Sequence, residues 1–287
     1  MRSQLQQATD TTRALGVIVL GLAILVSLTA GCAPTSHALA SSKAEIKSTA
    51  NDDALVQFSL LAALASGDYD DGAPLRQVLQ RGDFGIGTFN RLDGEMIVLD
   101  GQMYQALGNG LIRPANLEST TPFAAVTFFR EDGRIENLAA ASLTDLDEQL
   151  DRQLPRHNTP YAIRIDGEFP NLTLRSVPAQ TPPFQPLVEV VKHQSTWQHH
   201  NLRGTLVGFR CPAWVGTLNV AGYHWHFLSE DRATGGHVLA CELQNGLVRF
   251  DECSSLEIHL PQSPEFDNFD VARIKHQDIN QIERLRN

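Results

Sequence analysis

The stretch Tyr223–His237, Tyr-His-Trp-His-Phe-Leu-Ser-Glu-Asp-Arg-Ala-Thr-Gly-Gly-His, carries three imidazoles at a spacing suited to chemistry. On a β-strand, His224 and His226 at i and i+2 point to one face. Residues 229–236 are polar and end in Gly-Gly, which marks a turn. His237-Val-Leu-Ala-Cys then begins a second apolar run. A hairpin folded about Asp231-Arg232 sets His237 opposite His226, and directly opposed side chains share a face with Cβ atoms about 5 Å apart. Three converging imidazoles are the ligand set of a catalytic zinc or similar site, with one position left open for water or substrate. The competing reading is ordinary strand histidines in a chain that has 10 of them. A one-residue slip in register would turn His237 to the other face and remove the site.

The elements that must position this hairpin follow from patterning. Phe58, Leu60, Leu61 and Leu64 form one apolar helical stripe, and Pro74 opens a second short helix at a first-turn position. Phe84, Ile86 and Thr88 alternate with glycines as a tight β-segment. Its G-x-G is no dinucleotide fingerprint, because neither a third glycine nor a helix follows. Leu92–Tyr104 reads as a meander with Asp-Gly turns at 93–94 and 100–101. Further strands are expected at Ala124–Arg130 and at Tyr161–Phe169, the latter paired as a hairpin with Asn171–Val177. Between them Ser142-Leu-Thr-Asp starts a helix that turns Leu143, Leu146, Leu150 and Leu154 inward. Leu187–Gln194 reads as a short helix. From Arg203 the pattern is almost all β, with strands at 203–210, 214–220, the His hairpin, 247–251 and 254–260. The fold class is α+β: a large mixed sheet with short helices over 53–200, and a mostly antiparallel β lobe over 201–287 carrying the metal hairpin and the tail.

Residues 1–31 read as a targeting segment. Arg2 and Arg13 precede an apolar run from Leu15 to Ala30, too short for a comfortable transmembrane span. The run ends Leu-Thr-Ala-Gly-Cys32, which resembles a lipoprotein cleavage box with Cys32 as the acylated residue. Ordinary cleavage after Ala38-Leu-Ala40, leaving Ser41 first, and an uncleaved signal anchor are the other readings. All three export the body, with the lipid anchor preferred, and 32–52 is a flexible tether. Removing Arg2, Asp10 and Arg13 takes the formal charge from −10 to −11. An acidic, exported body argues against nucleic-acid binding. Cys211, Cys241 and Cys253 remain without zinc-type spacing, and in an oxidising compartment Cys241–Cys253 is the expected bridge.

Several ordered blocks resemble the acetolactate decarboxylase family across roughly residues 53–287. They are Arg81-Gly-Asp-Phe-Gly-Ile-Gly-Thr-Phe-Asn, Leu92-Asp-Gly-Glu-Met-Ile, Arg175-Ser-Val-Pro, Arg203-Gly-Thr-Leu-Val-Gly-Phe, and Gly222-Tyr-His-Trp-His-Phe-Leu-Ser-Glu-Asp with Gly235-Gly-His-Val. The resemblance implies a zinc-dependent lyase that converts 2-acetolactate to acetoin and carbon dioxide, built as a two-domain homodimer. It places the zinc ligands at His224, His226 and His237, and active-site groups at Glu95, Arg175, Thr88 and Glu283. Glu283, in the C-terminal Ile-Glu-Arg, matches by spacing alone.

Taken without the resemblance, Glu95 reads as turn surface, Arg175 as a surface ion pair, Thr88 as an ordinary strand threonine and Glu283 as a tail charge. His157, His193, His199, His200, His259 and His276 are read as non-functional. With the resemblance, the arginine is expected to orient the substrate carboxylate. A glutamate or a metal-bound water is then the proton donor, since arginine is a poor acid. Zinc is the default ion for imidazole ligands, although another divalent metal fits the same set. Two rival readings stand beside this one: another three-His zinc lyase or hydratase of the carbonic anhydrase type, and a non-catalytic metal- or ligand-binding lipoprotein.

Overall fold

The structure is a computed structural model and describes residues 53–268 together with 270, 274 and 279. Cys32, the tether, His276 and Glu283 lie outside the described residues, so the expectations for them are not addressed by it. In chain order the strands are β1 (Ala54–Phe58), β2 (Ala73–Pro74), β3 (Phe84–Thr88), β4 (Glu95–Leu99), β5 (Gln102–Ala106), β6 (Ile112–Pro114), β7 (Thr120–Thr121), β8 (Ala124–Thr127), β9 (Gly133–Ala140), β10 (Tyr161–Ser176), β11 (Ser195–Cys211), β12 (Gly222–Ser229), β13 (Gly235–Cys241), β14 (Leu243–Glu252) and β15 (Ser255–His259). The helices are α1 (Leu61–Ser66), α2 (Leu75–Leu79), α3 (Leu143–Gln153), α4 (Leu187–Val190) and α5 (Pro264–Asn268). The α+β class expected from the sequence is what the chain adopts.

Two sheets carry the fold. The seven-stranded sheet runs β15-β1-β8-β3-β4-β5-β6, and the six-stranded sheet runs β11-β12-β13-β10-β14-β9 with β11 also paired to β10. That extra pairing curls β10, β11, β12 and β13 into a ring. Period-2 alternation gives each strand two destinations. Leu55, Phe84, Ile86, Ile97 and Leu99 of the first sheet meet Ala162, Val207, Phe209 and Leu228 of the second in one buried layer. The far face of the six-stranded sheet packs Tyr223, Trp225 and Phe227 with Leu146 and Leu150 of α3. That helix begins as its sequence predicts: Ser142 Oγ accepts the Asp145 N–H at 3.1 Å. The second turn of the expected meander forms at 100–101, with Gly101 at φ 73°.

Four local expectations are corrected. Residues 161–177 do not fold back as a hairpin. Instead β10 is one continuous strand paired to β11 from Tyr161↔Arg210 to Ser176↔Ser195. Pro170, which has no N–H to give, interrupts the ladder opposite Asn201, and Asn201 absorbs the irregularity at φ 55°. Residues 214–220 form no strand: a 3-10 turn at Ala213–Val215 ends at Gly216, φ 57°. β8 stops at Thr127, short of Arg130. Cys241 and Cys253 are unbridged thiols, because Cys241 belongs to the core under α3 and Cys253 to the layer between the sheets.

Candidate metal centre and active site

The hairpin forms in the expected register. His226 pairs with His237, Phe227 with Gly236 and Leu228 with Gly235. Its turn is closed by Ser229 N–H donating to Thr234 O at 2.8 Å, with Asp231 Oδ1 accepting from Ser229 Oγ at 2.6 Å. Arg232 sits at the turn with φ 61°. Gly236 has no substitute: a Cβ there would lie 2.6 Å from the Arg175 carbonyl oxygen. The three imidazoles stand with ring centroids 5.1, 5.0 and 5.4 Å apart, and one ligand atom from each lies within 4.8 Å of the others.

The remaining groups arrive from both sheets. Arg175 on β10 is the registered neighbour of His237 on β13, so Arg175, His237 and His226 stand side by side across three adjacent strands. From the facing sheet, Thr88 on β3 is paired with Glu95 on β4. Gly94, at φ 91°, turns the chain into β4 and offers its carbonyl to Thr88 Oγ1 at 2.8 Å. Glu95 Oε1 accepts from Arg175 Nη1 at 2.8 Å, and Glu95 Oε2 lies 3.5 Å from His226 Nε2. All of these side chains are buried. The structure therefore brings together Thr88, Glu95, Arg175, His224, His226 and His237. His157, His193, His199, His200 and His259 are not part of this cluster.

The donor set fits a divalent ion. His226 Nδ1 is 2.7 Å from the Met96 carbonyl oxygen, to which it donates. This fixes the tautomer and leaves the buried Nε2 lone pair, without a hydrogen bond among the described residues, toward the cluster. Burial pushes His224 down to about 3, helped by the Arg175 charge. Burial also holds His226 well below the usual range, with His224 and Arg175 adding to it and the Met96 carbonyl opposing. Neutral imidazoles are the form that ligates metal.

Sequence reasoning missed the Met96 carbonyl, because a backbone acceptor leaves no signal in residue type. It also missed the apolar wall of the cavity: Leu61, Leu64, Leu92, Phe123, Val177 and Leu187. Leu61 and Leu64 were legible only as a core stripe. The cavity is about 40 Å³, room for no more than a few waters.

Fold and cavity together define an α+β protein with a buried three-imidazole centre able to hold a divalent ion beside a carboxylate–guanidinium pair. A family model for alpha-acetolactate decarboxylase matches residues 55–273. The alpha-acetolactate decarboxylase of Methanosarcina mazei is 42% identical over 232 residues, spanning 81% of this chain and 81% of its own. That of Bacillus subtilis is 38% identical over 224 residues, spanning 76% and 88%. The crystal structure of alpha-acetolactate decarboxylase from Bacillus subtilis strain 168 superposes with a TM-score of 0.77 at 35% identity, covering 80% of this chain and 99% of that one. The chain belongs to the alpha-acetolactate decarboxylase family.

Proposed function

We propose that the protein is a zinc-dependent decarboxylase converting 2-acetolactate to acetoin and carbon dioxide. The convergence of His224, His226 and His237 beside the Glu95–Arg175 pair carries this reading. Held by those imidazoles, a divalent ion supplies Lewis-acid stabilisation of negative charge. In the reaction the bond from the hydroxyl-bearing carbon to the carboxylate breaks. Its electron pair moves toward the ketone oxygen, carbon dioxide leaves, and a proton is added at carbon.

This chain's residues divide that work. Arg175 orients the departing carboxylate with its guanidinium edge while one corner, Nη1, stays committed to Glu95. Holding the carboxylate too firmly would stabilise the ground state, so orientation is the useful part. Glu95 and Glu283 are the two carboxylates proposed to move the proton to carbon. Thr88 braces the Gly94 turn that aims Glu95. The apolar wall excludes water from the carbanionic carbon.

The same reading has the chain exported and tethered through Cys32, and paired as a homodimer. Labelled fatty acid entering the wild type but not Cys32→Ser supports the tether; label in neither, with Ser41 as the mature N-terminus, replaces it with a secreted form. The metal reading is tested by His224→Ala, His226→Ala and His237→Ala. Each is expected to lose both bound zinc and turnover, since a three-ligand set has no spare. A variant that keeps full zinc and full turnover removes its histidine from the set.

A further inference from the structure

The strand that carries two of the three imidazoles is unevenly supported. Along one edge β12 pairs with β11 from Gly222 to Ser229. Along the other it pairs with β13 only from His226 to Leu228. His224 therefore lies on a stretch with a single β-neighbour, although the metal reading requires its position to be held as closely as that of His226.

The missing restraint comes from the opposite face. Tyr223 and Trp225 flank His224 in sequence and point away from the imidazoles, toward α3. Tyr223 Oη donates to Asp151 Oδ1 at 3.0 Å, and Trp225 Nε1 donates to Asp147 Oδ1 at 3.0 Å. The two aromatic rings stack at 5.6 Å with their planes 11° apart. The acceptors are spaced i, i+4 on a helix, about 6 Å along its axis. The donors are spaced i, i+2 on a strand, about 6.7 Å along it. The two spacings match, so both bonds form together in one register. A slide of the strand by two residues would break at least one of them, and a slide by one would turn both aromatics to the metal side. Arg210 Nε, 3.3 Å from Asp151 Oδ1, ties the same carboxylate to β11, the neighbour of β12.

We infer that Asp147 and Asp151 of α3 are positioning residues for the metal centre, clamping Tyr223 and Trp225 so that His224 is held in ligating position. Neither carboxylate touches the site; they act through β12. The inference rests on the three-histidine metal reading. Its consequence is that α3, which contributes no residue to the cavity, sets the affinity of the centre for its ion.

The experiment measures zinc affinity by competition with a chromophoric chelator, alongside the urea midpoint of the metal-free protein. Asp147→Ala/Asp151→Ala removes both acceptors, whereas Asp147→Asn/Asp151→Asn keeps a carbonyl oxygen at each position. The alanine pair is expected to bind zinc about tenfold or more weakly, the scale of lost outer-shell support. The asparagine pair should stay within a few-fold of wild type. Tyr223→Phe, which deletes one hydroxyl and leaves the ring, should weaken zinc measurably by itself and serves if the alanine pair does not fold. Unchanged zinc affinity in the alanine pair or in Tyr223→Phe overturns the clamp, as does an asparagine pair as weak as the alanine pair. A wild-type protein that binds no zinc would instead defeat the metal reading, so the two failures are distinguishable.

Discussion

Arg175 and Glu95 meet across the space between the two sheets, Nη1 to Oε1 at 2.8 Å, with 6% and 8% of their side chains exposed. One comes from β10 and the other from β4, and 80 residues separate them in the chain. Two charges withdrawn from water this fully are costly unless each has the other, and removing one partner leaves an uncompensated buried charge. Glu95→Ala is therefore expected to destabilise the protein by about 3–5 kcal/mol, the scale of a broken buried pair. Urea unfolding measures it. Glu95→Gln keeps an acceptor oxygen for Arg175 and should lose less stability. It should also keep its metal while kcat falls by about two to four orders of magnitude, the usual contribution of general acid–base catalysis.

Arg175→Lys keeps the charge and loses the planar fork. It is expected to raise KM and to lower kcat through misorientation. Chiral analysis of the acetoin formed separates the two roles. A displaced proton donor lets solvent protonate from either face, whereas a loosened grip on the carboxylate acts before that step. Racemic product from Glu95→Gln and stereospecific product from Arg175→Lys is the expected pattern; the reverse would exchange the assignments.

Much of the site was legible in the sequence because it is local. The His-x-His strand, the polar turn and the Gly-Gly-His return lie within 15 consecutive residues, and period 2 alone predicts which side chains share a face. The glycines at 235 and 236 are part of that signal, since close packing against Phe227 and Arg175 excludes a Cβ at both. What was not legible is non-local or lacks side-chain identity. Pro170-Asn171 has the composition of a turn, yet β10 runs through it because β11 pairs with both halves. Cys241 and Cys253 are near in sequence and on opposite faces of a sheet. The contact of Glu95 with Arg175 depends on how two sheets stack, and no periodicity encodes that. From residue type alone each reads as surface charge.

Asp251 gives a prediction about pH. Its carboxyl is buried and accepts the Arg130 N–H at Oδ2, and among the described residues Oδ1 has no hydrogen-bond partner. Burial pushes it from 3.8 up to about 7, with the charges of Asp132 and Asp53 adding to burial and the Arg130 N–H and guanidinium opposing. A raised folded-state value means that the folded protein holds this proton more tightly than the unfolded chain. The resulting stability is fully present below pH 3.8 and is lost as pH rises through about 7. Asp251→Asn mimics the protonated form. Its urea midpoint is expected to exceed that of the wild type increasingly as pH rises from about 5 to about 8, with the two converging at the acid end. A constant difference across that range would show that Asp251 does not titrate there.

The central claim is that this chain decarboxylates acetolactate with a metal held by His224, His226 and His237. The most direct measurement gives racemic 2-acetolactate to the full protein in three states: loaded with zinc, stripped by a chelator, and stripped then reloaded. Acetoin and carbon dioxide should appear in equal amounts in the first, cease in the second and return in the third. Undiminished acetoin from the stripped protein, or none from folded protein carrying its full zinc, would contradict the account.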